Sequence, residues 1–227
     1  PRMSLQSPAE RHLIRELAER LAGRPVRLID LGANVSTVIE KKLAHRGLDF
    51  VCDRSDVLPC AIEEDWPWKG ASFQASVEDM AALPAEAYDA AFANFVLEHV
   101  EHLDRAAREI ARLIKPGGLF VTSVPNPRAP EFLIADKTPH SFHVLVRGDE
   151  EHDVHGTHYA YPSLDSFRRT FEAAGFECLA LRRDANTYGY LHRFPLLNLL
   201  ARGYDWTVGA LRLHGLMGAA CFTFRKR

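Results

Sequence analysis

The stretch Tyr88-Asp89-Ala90-Ala91-Phe92-Ala93-Asn94-Phe95-Val96-Leu97-Glu98-His99-Val100, with Leu113-Ile114-Lys115-Pro116-Gly117-Gly118-Leu119-Phe120 after it, decides the fold. Tyr88 to Phe95 is nearly continuous apolar residue, the pattern of a strand covered on both faces. Leu103, Ala106, Ala107, Ile110, Leu113 and Ile114 then recur at helical spacing until Pro116-Gly117-Gly118. Leu119 to Val124 reads as another buried strand. A strand, a helix and a strand of these lengths imply a right-handed crossover and a mostly parallel sheet with helices on both faces.

Working toward the N-terminus, Val26-Arg27-Leu28-Ile29-Asp30-Leu31 is a β-rich run ending at Gly32, and a helix around Val38, Ile39 and Leu43 ends near Gly47. Leu48 to Cys52 gives a second strand ending at Asp53, and Phe73 to Val77 a weaker third. Residues 1–25 hold a helix: Ser7 caps it, Pro8 suits its first turn, Glu10 completes a capping box, and Leu13, Ile14, Leu17 and Leu21 make one stripe. It is expected to lie on the core as a lid or brace.

Toward the C-terminus, residues 126–162 are rich in proline and histidine, and a connection of that length in a compact domain marks a functional lid or a site wall. A strand at Phe176 to Arg182 and a last one at Ala219 to Phe224 flank a second insertion, residues 185–217. In it Pro195 to Leu200 and Trp206 to Leu216 look like apolar helices that roof a pocket, form a homodimer face or extend the core. The expected fold is α/β: one Rossmann-like three-layer domain over residues 1–227 with these two insertions.

Of the 227 residues, 47% are hydrophobic and 26% charged, the balance of an ordinary folded chain. A net charge of −2 offers no basic field for nucleic acid or an anionic membrane, so a small molecule is the expected partner. Cys52, Cys60, Cys178 and Cys221 form no C-x-x-C pair, no apolar run approaches the ~18 residues of a membrane span, and no secretory pattern opens the chain. A cytoplasmic setting is expected.

In an open parallel sheet the ligand crevice lies at the carboxyl ends of the strands. The first strand ends in Asp30-Leu31-Gly32-Ala33-Asn34-Val35-Ser36, where Gly32 lets backbone approach a ligand and Asn34 tolerates a left-handed backbone. Asp53, about 20 residues on, is expected to accept hydrogen bonds from ribose hydroxyls. Only Gly32 matches the G-x-G-x-x-G pattern that serves a pyrophosphate, which favours a nucleoside ligand over NAD.

With its Leu97-Glu98-His99 and Leu113-Ile114-Lys115-Pro116-Gly117-Gly118 segments and Ala174-Gly175-Phe176 beyond them, the chain resembles the class I S-adenosylmethionine-dependent methyltransferases, especially the broad group labelled methyltransferase type 11. The resemblance implies a seven-stranded sheet with the last strand antiparallel, a helix starting at Leu97-Glu98-His99, and S-adenosyl-L-methionine as cofactor. It implies Asp30 and Gly32 at the methionine part and Asp53 at the ribose. It further implies Ser76, Val77, Glu78 and Asp79 at the adenine, and Asn94 beside the sulfonium. Asn34 and Ser36 stand where the family's later glycines would be, and Ser76 where an acid is common. An NAD-linked oxidoreductase and a noncatalytic module that binds the cofactor are the alternative readings.

Methyl transfer to an alcohol needs alignment, exclusion of water and a base or a metal to take the proton. Five of the 11 histidines (His140, His143, His152, His155 and His158) fall within residues 140–158, far above even spreading. Asp149, Glu150, Glu151 and Asp153 lie among them, so a metal site and a solvated loop compete with a histidine base. His143 and His158, beside Phe142 and Tyr159, are the chosen bases, and no metal is assigned. Trp66 and Trp68 follow the second strand, where they either reach the adenine or pack on the surface. Tyr159, Tyr161, Tyr188 and Tyr190 are candidate contacts to an aromatic or sugar substrate.

Overall fold

The first strand, β1 (Val26–Leu31), sends alternate side chains to opposite faces, as a strand must. Leu28 joins one apolar cluster and Ile29 and Leu31 another, so the sheet separates two cores. The computed structural model describes residues 7–129, 160–185, 187–190 and 195–227. Seven strands form its one sheet: β1, β2 (Phe50–Asp56), β3 (Lys69–Gln74), β4 (Tyr88–Asn94), β5 (Ile114–Pro125), β6 (Phe176–Asp184) and β7 (Ala219–Lys226). Their order is β3-β2-β1-β4-β5-β7-β6, and β7 runs antiparallel to both neighbours. The order reverses between β1 and β4, which opens a crevice at their carboxyl ends.

Helices α1 (Pro8–Leu21) and α2 (Val38–His45) cover one face. Ser7 caps α1 by accepting from the Glu10 N–H at 3.1 Å, and Leu13, Ile14, Leu17 and Leu21 are buried against the sheet. Thus α1 braces the core. Helices α3 (Leu103–Leu113) and α4 (Leu164–Ala173) cover the other face. There Phe120, Phe167, Phe171, Phe176, Phe222 and Phe224 are fully buried, with Phe171 and Phe224 stacked at 5.0 Å. Burying each ring is worth about 1.5–3 kcal/mol, which fixes the late strands.

Several boundaries depart from the sequence reading. Pairing with β1 and β3 carries β2 on to Asp56, so Asp53 lies inside the strand instead of closing it. β3 ends at Gln74, which leaves Ser76 to Asp79 as a turn. Leu97-Glu98-His99 is also a turn, with His99 N–H on the Val96 carbonyl, and α3 begins at Leu103. Pro116-Gly117-Gly118 sits in a register shift inside β5, where a Cβ on Gly118 would crowd Ile114 and the Asp89 carbonyl.

The second insertion holds a one-turn helix α5 (Thr187–Tyr190) and one continuous helix α6 (Pro195–Ala210) in place of two separate segments. Ala201 and Val208 are buried on its inner side, while Leu196, Leu199, Leu200 and Trp206 are exposed. No helix among the described residues is long and apolar enough to cross a membrane. The four cysteines are free thiols.

Candidate active site

The crevice between β1 and β4 is shaped by Gly32, whose φ is +70°. A Cβ there would overlap Val96, with Cγ1 only 2.7 Å away, so conformation and space both require glycine. Gly32 and Ala33 donate their N–H groups to the Ser55 carbonyl at 2.7 and 3.1 Å, pinning the turn to the end of β2. Asn34 takes φ 47°, the left-handed conformation its side chain tolerates, and its Oδ1 accepts from the Val35 N–H at 2.6 Å. The Asn34 N–H donates to Asp56 Oδ2 at 2.8 Å.

Asp56 is therefore the β2 carboxylate at the crevice, in place of the expected Asp53. The signal was the run Asp53-Arg54-Ser55-Asp56, whose acidic residues at both ends leave the strand terminus ambiguous. Asp56 Oδ1 accepts from the Leu58 N–H at 2.9 Å, and each carboxylate oxygen keeps a lone pair for a further donor.

Asp53 faces the other end of the strands and is 2% exposed. Its Oδ2 accepts from Arg27 Nη2 and the Tyr88 hydroxyl, both at 2.8 Å, and its Oδ1 from the Ala71 N–H at 2.9 Å. Gly70 is packed so closely on Oδ1 that a Cβ would collide with it. These contacts belong to a structural carboxylate, and the strand register removes Asp53 from the crevice. Burial, then the hydrogen bond to Asp53, push the Tyr88 hydroxyl up.

Asp30 lies beneath the turn and is 6% exposed. Burial, then the Glu40 carboxylate, hold its carboxyl well above the usual range. Glu40, buried in α2, is paired with Arg54, a guanidinium 1% exposed. Burial also pushes Glu40 up, against the pull of Arg54. Neither Glu40 nor Arg54 stood out from sequence, because a charged residue in a strand or on a helix ordinarily faces water.

Asn94 closes β4 at the crevice, where its Oδ1 accepts from the Ser123 hydroxyl and its Nδ2 reaches Glu10 Oε2 at 3.5 Å. The other Glu10 oxygen lies 3.7 Å from Lys42 Nζ, so the first turn of α1 borders the crevice. Ser76 to Asp79 form a tight turn held by Asp79 N–H on the Ser76 carbonyl at 3.0 Å. Val77 is anchored in the core, Glu78 accepts from the Glu101 N–H at 2.7 Å, and Asp79 is exposed.

The remaining candidates separate. Trp68 is buried and stacks between Phe50 and Trp66 at 6.1 and 5.8 Å, lining a concavity of about 590 Å³ at the start of β2, away from the crevice. Tyr161 is fully buried with its hydroxyl on the Pro125 carbonyl, which removes it as a substrate contact. Tyr188 lies beneath Arg202 on the second insertion. His143 and His158 lie outside the described residues, as does most of the 126–162 segment. Among the described residues no cluster of histidine, cysteine and carboxylate could hold a metal.

A family described as a methyltransferase domain matches residues 6–181. No curated protein sequence matches the chain. Similar solved structures include an S-adenosylmethionine-dependent methyltransferase from Mesorhizobium loti, 17% identical over 97% of this chain and 99% of that one, TM-score 0.61. A second is the Burkholderia thailandensis 1,6-didemethyltoxoflavin-N1-methyltransferase with bound 1,6-didemethyltoxoflavin and S-adenosylhomocysteine, 16% identical over 96% and 78%, TM-score 0.57. The [4+2]-cyclase SpnF is 22% identical over 99% and 84%, TM-score 0.60. At these identities the likeness is one of fold.

Proposed function

Because the chain belongs to a methyltransferase-domain family, an enzyme family whose cofactor is S-adenosylmethionine, we propose that it methylates a hydroxyl of a small-molecule acceptor, a sugar or a natural product. The observation that carries the reading is the crevice at the β1–β4 switch point, walled by Gly32, Asp56 and Asn94. These residues fit the cofactor: Gly32 lets the chain turn sharply at the strand end where a Cβ would collide with Val96, and Asp56 presents a carboxylate at the end of β2.

When bound, the cofactor supplies an electrophilic methyl on a sulfonium. Asp56, in place of Asp53, would accept from the ribose hydroxyls while its backbone partners hold it still. Gly32 and Asn34 would shape the floor beneath the methionine part, with Asp30 supporting them from below. The Ser76 to Asp79 turn would border the adenine, and of Glu78 and Asp79 the exposed Asp79 would offer its amino group an acceptor in place of the missing acid at Ser76, since Glu78 already accepts from the Glu101 N–H. Asn94 and Glu10 would border the reacting centre.

The acceptor must lose its proton, and we assign that step to His143 or His158 of the histidine-bearing insertion. Support comes from where that insertion departs: it follows Pro125, the carboxyl end of β5, next to the end of β4. Asn126 ties this exit down by donating to the Met217 carbonyl at 2.9 Å. His143→Ala or His158→Ala should lower kcat about 10²–10⁴-fold with cofactor affinity unchanged. Normal kcat in both variants would remove the base from the reading.

We place a second copy of the chain on the exposed stripe Leu196, Leu199, Leu200 and Trp206 of α6. Sedimentation should give a dimer that Leu199→Lys converts to monomer. The cofactor reading is tested by calorimetric titration of S-adenosylhomocysteine, with NAD in parallel. Micromolar binding of the first alone supports it, and preference for NAD overturns it.

A further inference from the structure

We infer that Arg54 is a positioning residue: its buried guanidinium sets the shape of the cofactor turn where a glycine-rich sequence would otherwise be needed. The inference rests on the reading that this turn receives S-adenosylmethionine. Arg54 is 1% exposed and points from β2 under residues 33–36. Its Nη2 donates to the carbonyls of Ala33, Asn34 and Ser36 at 3.0, 3.1 and 2.7 Å. Nη1 is held by the Glu40 carboxylate and Nε donates to the Cys60 carbonyl at 3.3 Å.

Three carbonyls of one turn are thus drawn to one inward point. Across a trans peptide the N–H lies opposite the C=O, so the same pull turns the N–H groups of the turn away from Arg54. The N–H of Asn34 meets Asp56 and that of Val35 meets Asn34 Oδ1, on the side where the crevice opens. Arg54 and Asp56 stand two residues apart on β2 and share a face, and between them they fix the turn from below and from the side. A turn with Asn34 and Ser36 has fewer accessible backbone states than one with three glycines, yet a surface loop of this kind still needs anchoring. The guanidinium supplies it, because its planar fork lets the two N–H groups of Nη2 share three turn carbonyls while Nη1 and Nε hold a carboxylate and a fourth carbonyl.

Lysine keeps the charge and loses the fork. In Arg54→Lys we expect a folded protein whose affinity for S-adenosylhomocysteine, read by calorimetry, falls at least tenfold. The amides of residues 32–37 should exchange with solvent at least tenfold faster than in the wild type without ligand, while those of β4 and β5 keep their rates. A folded Arg54→Lys that binds within twofold of the wild type, or a turn whose exchange is unchanged, overturns the inference. If that variant does not fold, the wild type decides: its 32–37 amides should be protected before any ligand is added. Protection that arises only with S-adenosylhomocysteine would mean the ligand, and not Arg54, orders the turn, and would also overturn the inference. A wild type that shows protected turn amides and no binding leaves Arg54 in place and removes the cofactor reading, so the two failures are distinguishable.

Discussion

Asp53 and Asp56 stand three residues apart on β2, each engaged by backbone N–H groups, and they face opposite ends of the sheet. At the amino ends of the strands Asp53 is enclosed by Arg27, Tyr88, Gly70 and Ala71, with its oxygens committed to partners. At the carboxyl ends Asp56 is held, among the described residues, by the N–H groups of Asn34 and Leu58 and borders the crevice. The parallel sheet explains the difference. Around Asp53 the amino ends are closed by the chain's own polar pairs, while the carboxyl ends part at the switch point and leave room for a ligand. A carboxylate is read by the end it faces, and strand register settles which end that is.

The comparison breaks most sharply at Gly32. Gly32→Ala adds the cost of a left-handed backbone, roughly 1–2 kcal/mol, to an overlap with Val96. Calorimetry should find S-adenosylhomocysteine affinity lowered by two orders of magnitude or more, and Val96→Ala should restore it only in part because the backbone term remains. Full restoration would mean that space alone required the glycine.

The two aspartates come next. Asp56→Ala should weaken S-adenosylhomocysteine binding by about 10–100-fold, the loss of one or two hydrogen bonds to a charged acceptor, with little change in Tm. Asp53→Ala should do the reverse. It strands the Tyr88 hydroxyl and the Ala71 N–H without an acceptor, lowering stability by about 2–3 kcal/mol and Tm by about 4–12 °C, with affinity of the folded protein retained. Equal effects on binding from both would erase the distinction between the ends.

A smaller effect concerns Asp30. Its carboxyl is held well above the ordinary value of 3.8 by burial and then by Glu40. The folded state therefore keeps a proton that the unfolded chain releases, so the contribution of this group is complete below about pH 4 and is lost as pH rises toward the folded value. Denaturant unfolding from pH 5 upward should show that decline, and Asp30→Asn should flatten it. A variant with the wild-type slope would place the titration elsewhere. The smallest change expected is Ser76→Asp, which restores an acceptor beside the Ser76 to Asp79 turn and should raise affinity for S-adenosylhomocysteine a few-fold, about 1 kcal/mol. Unchanged or weaker binding would place the adenine away from this turn.

Much of this architecture is legible in the sequence. Tyr88 to Asn94 reads as a strand because its apolar run suits burial on both faces, and the cap of α1 and the apolar stripes of α1 and α3 are local signals. The turn at Gly32 is legible because a β-rich run gives way to glycine and then to a helical pattern, which places it at the crevice end of a parallel sheet. Asp56 was not, because the end of β2 is fixed by pairing with β1 and β3, and Asp53 offered an equally acidic stopping point. Leu97-Glu98-His99 looked helical through resemblance, but its backbone turns back at Val96 before α3 begins.

The sequence by itself determined the α/β class, the switch-point turn and the apolar faces, since those depend on periodicity and on residues adjacent in the chain. Only the tertiary structure decided which carboxylate faces the crevice, that Arg54 lies buried beneath three turn carbonyls, and that Glu40 on α2 answers its charge. These depend on strand register and on side chains brought together from 14 to 21 residues apart, and a charged residue in a sequence carries no mark of whether it meets water or a partner.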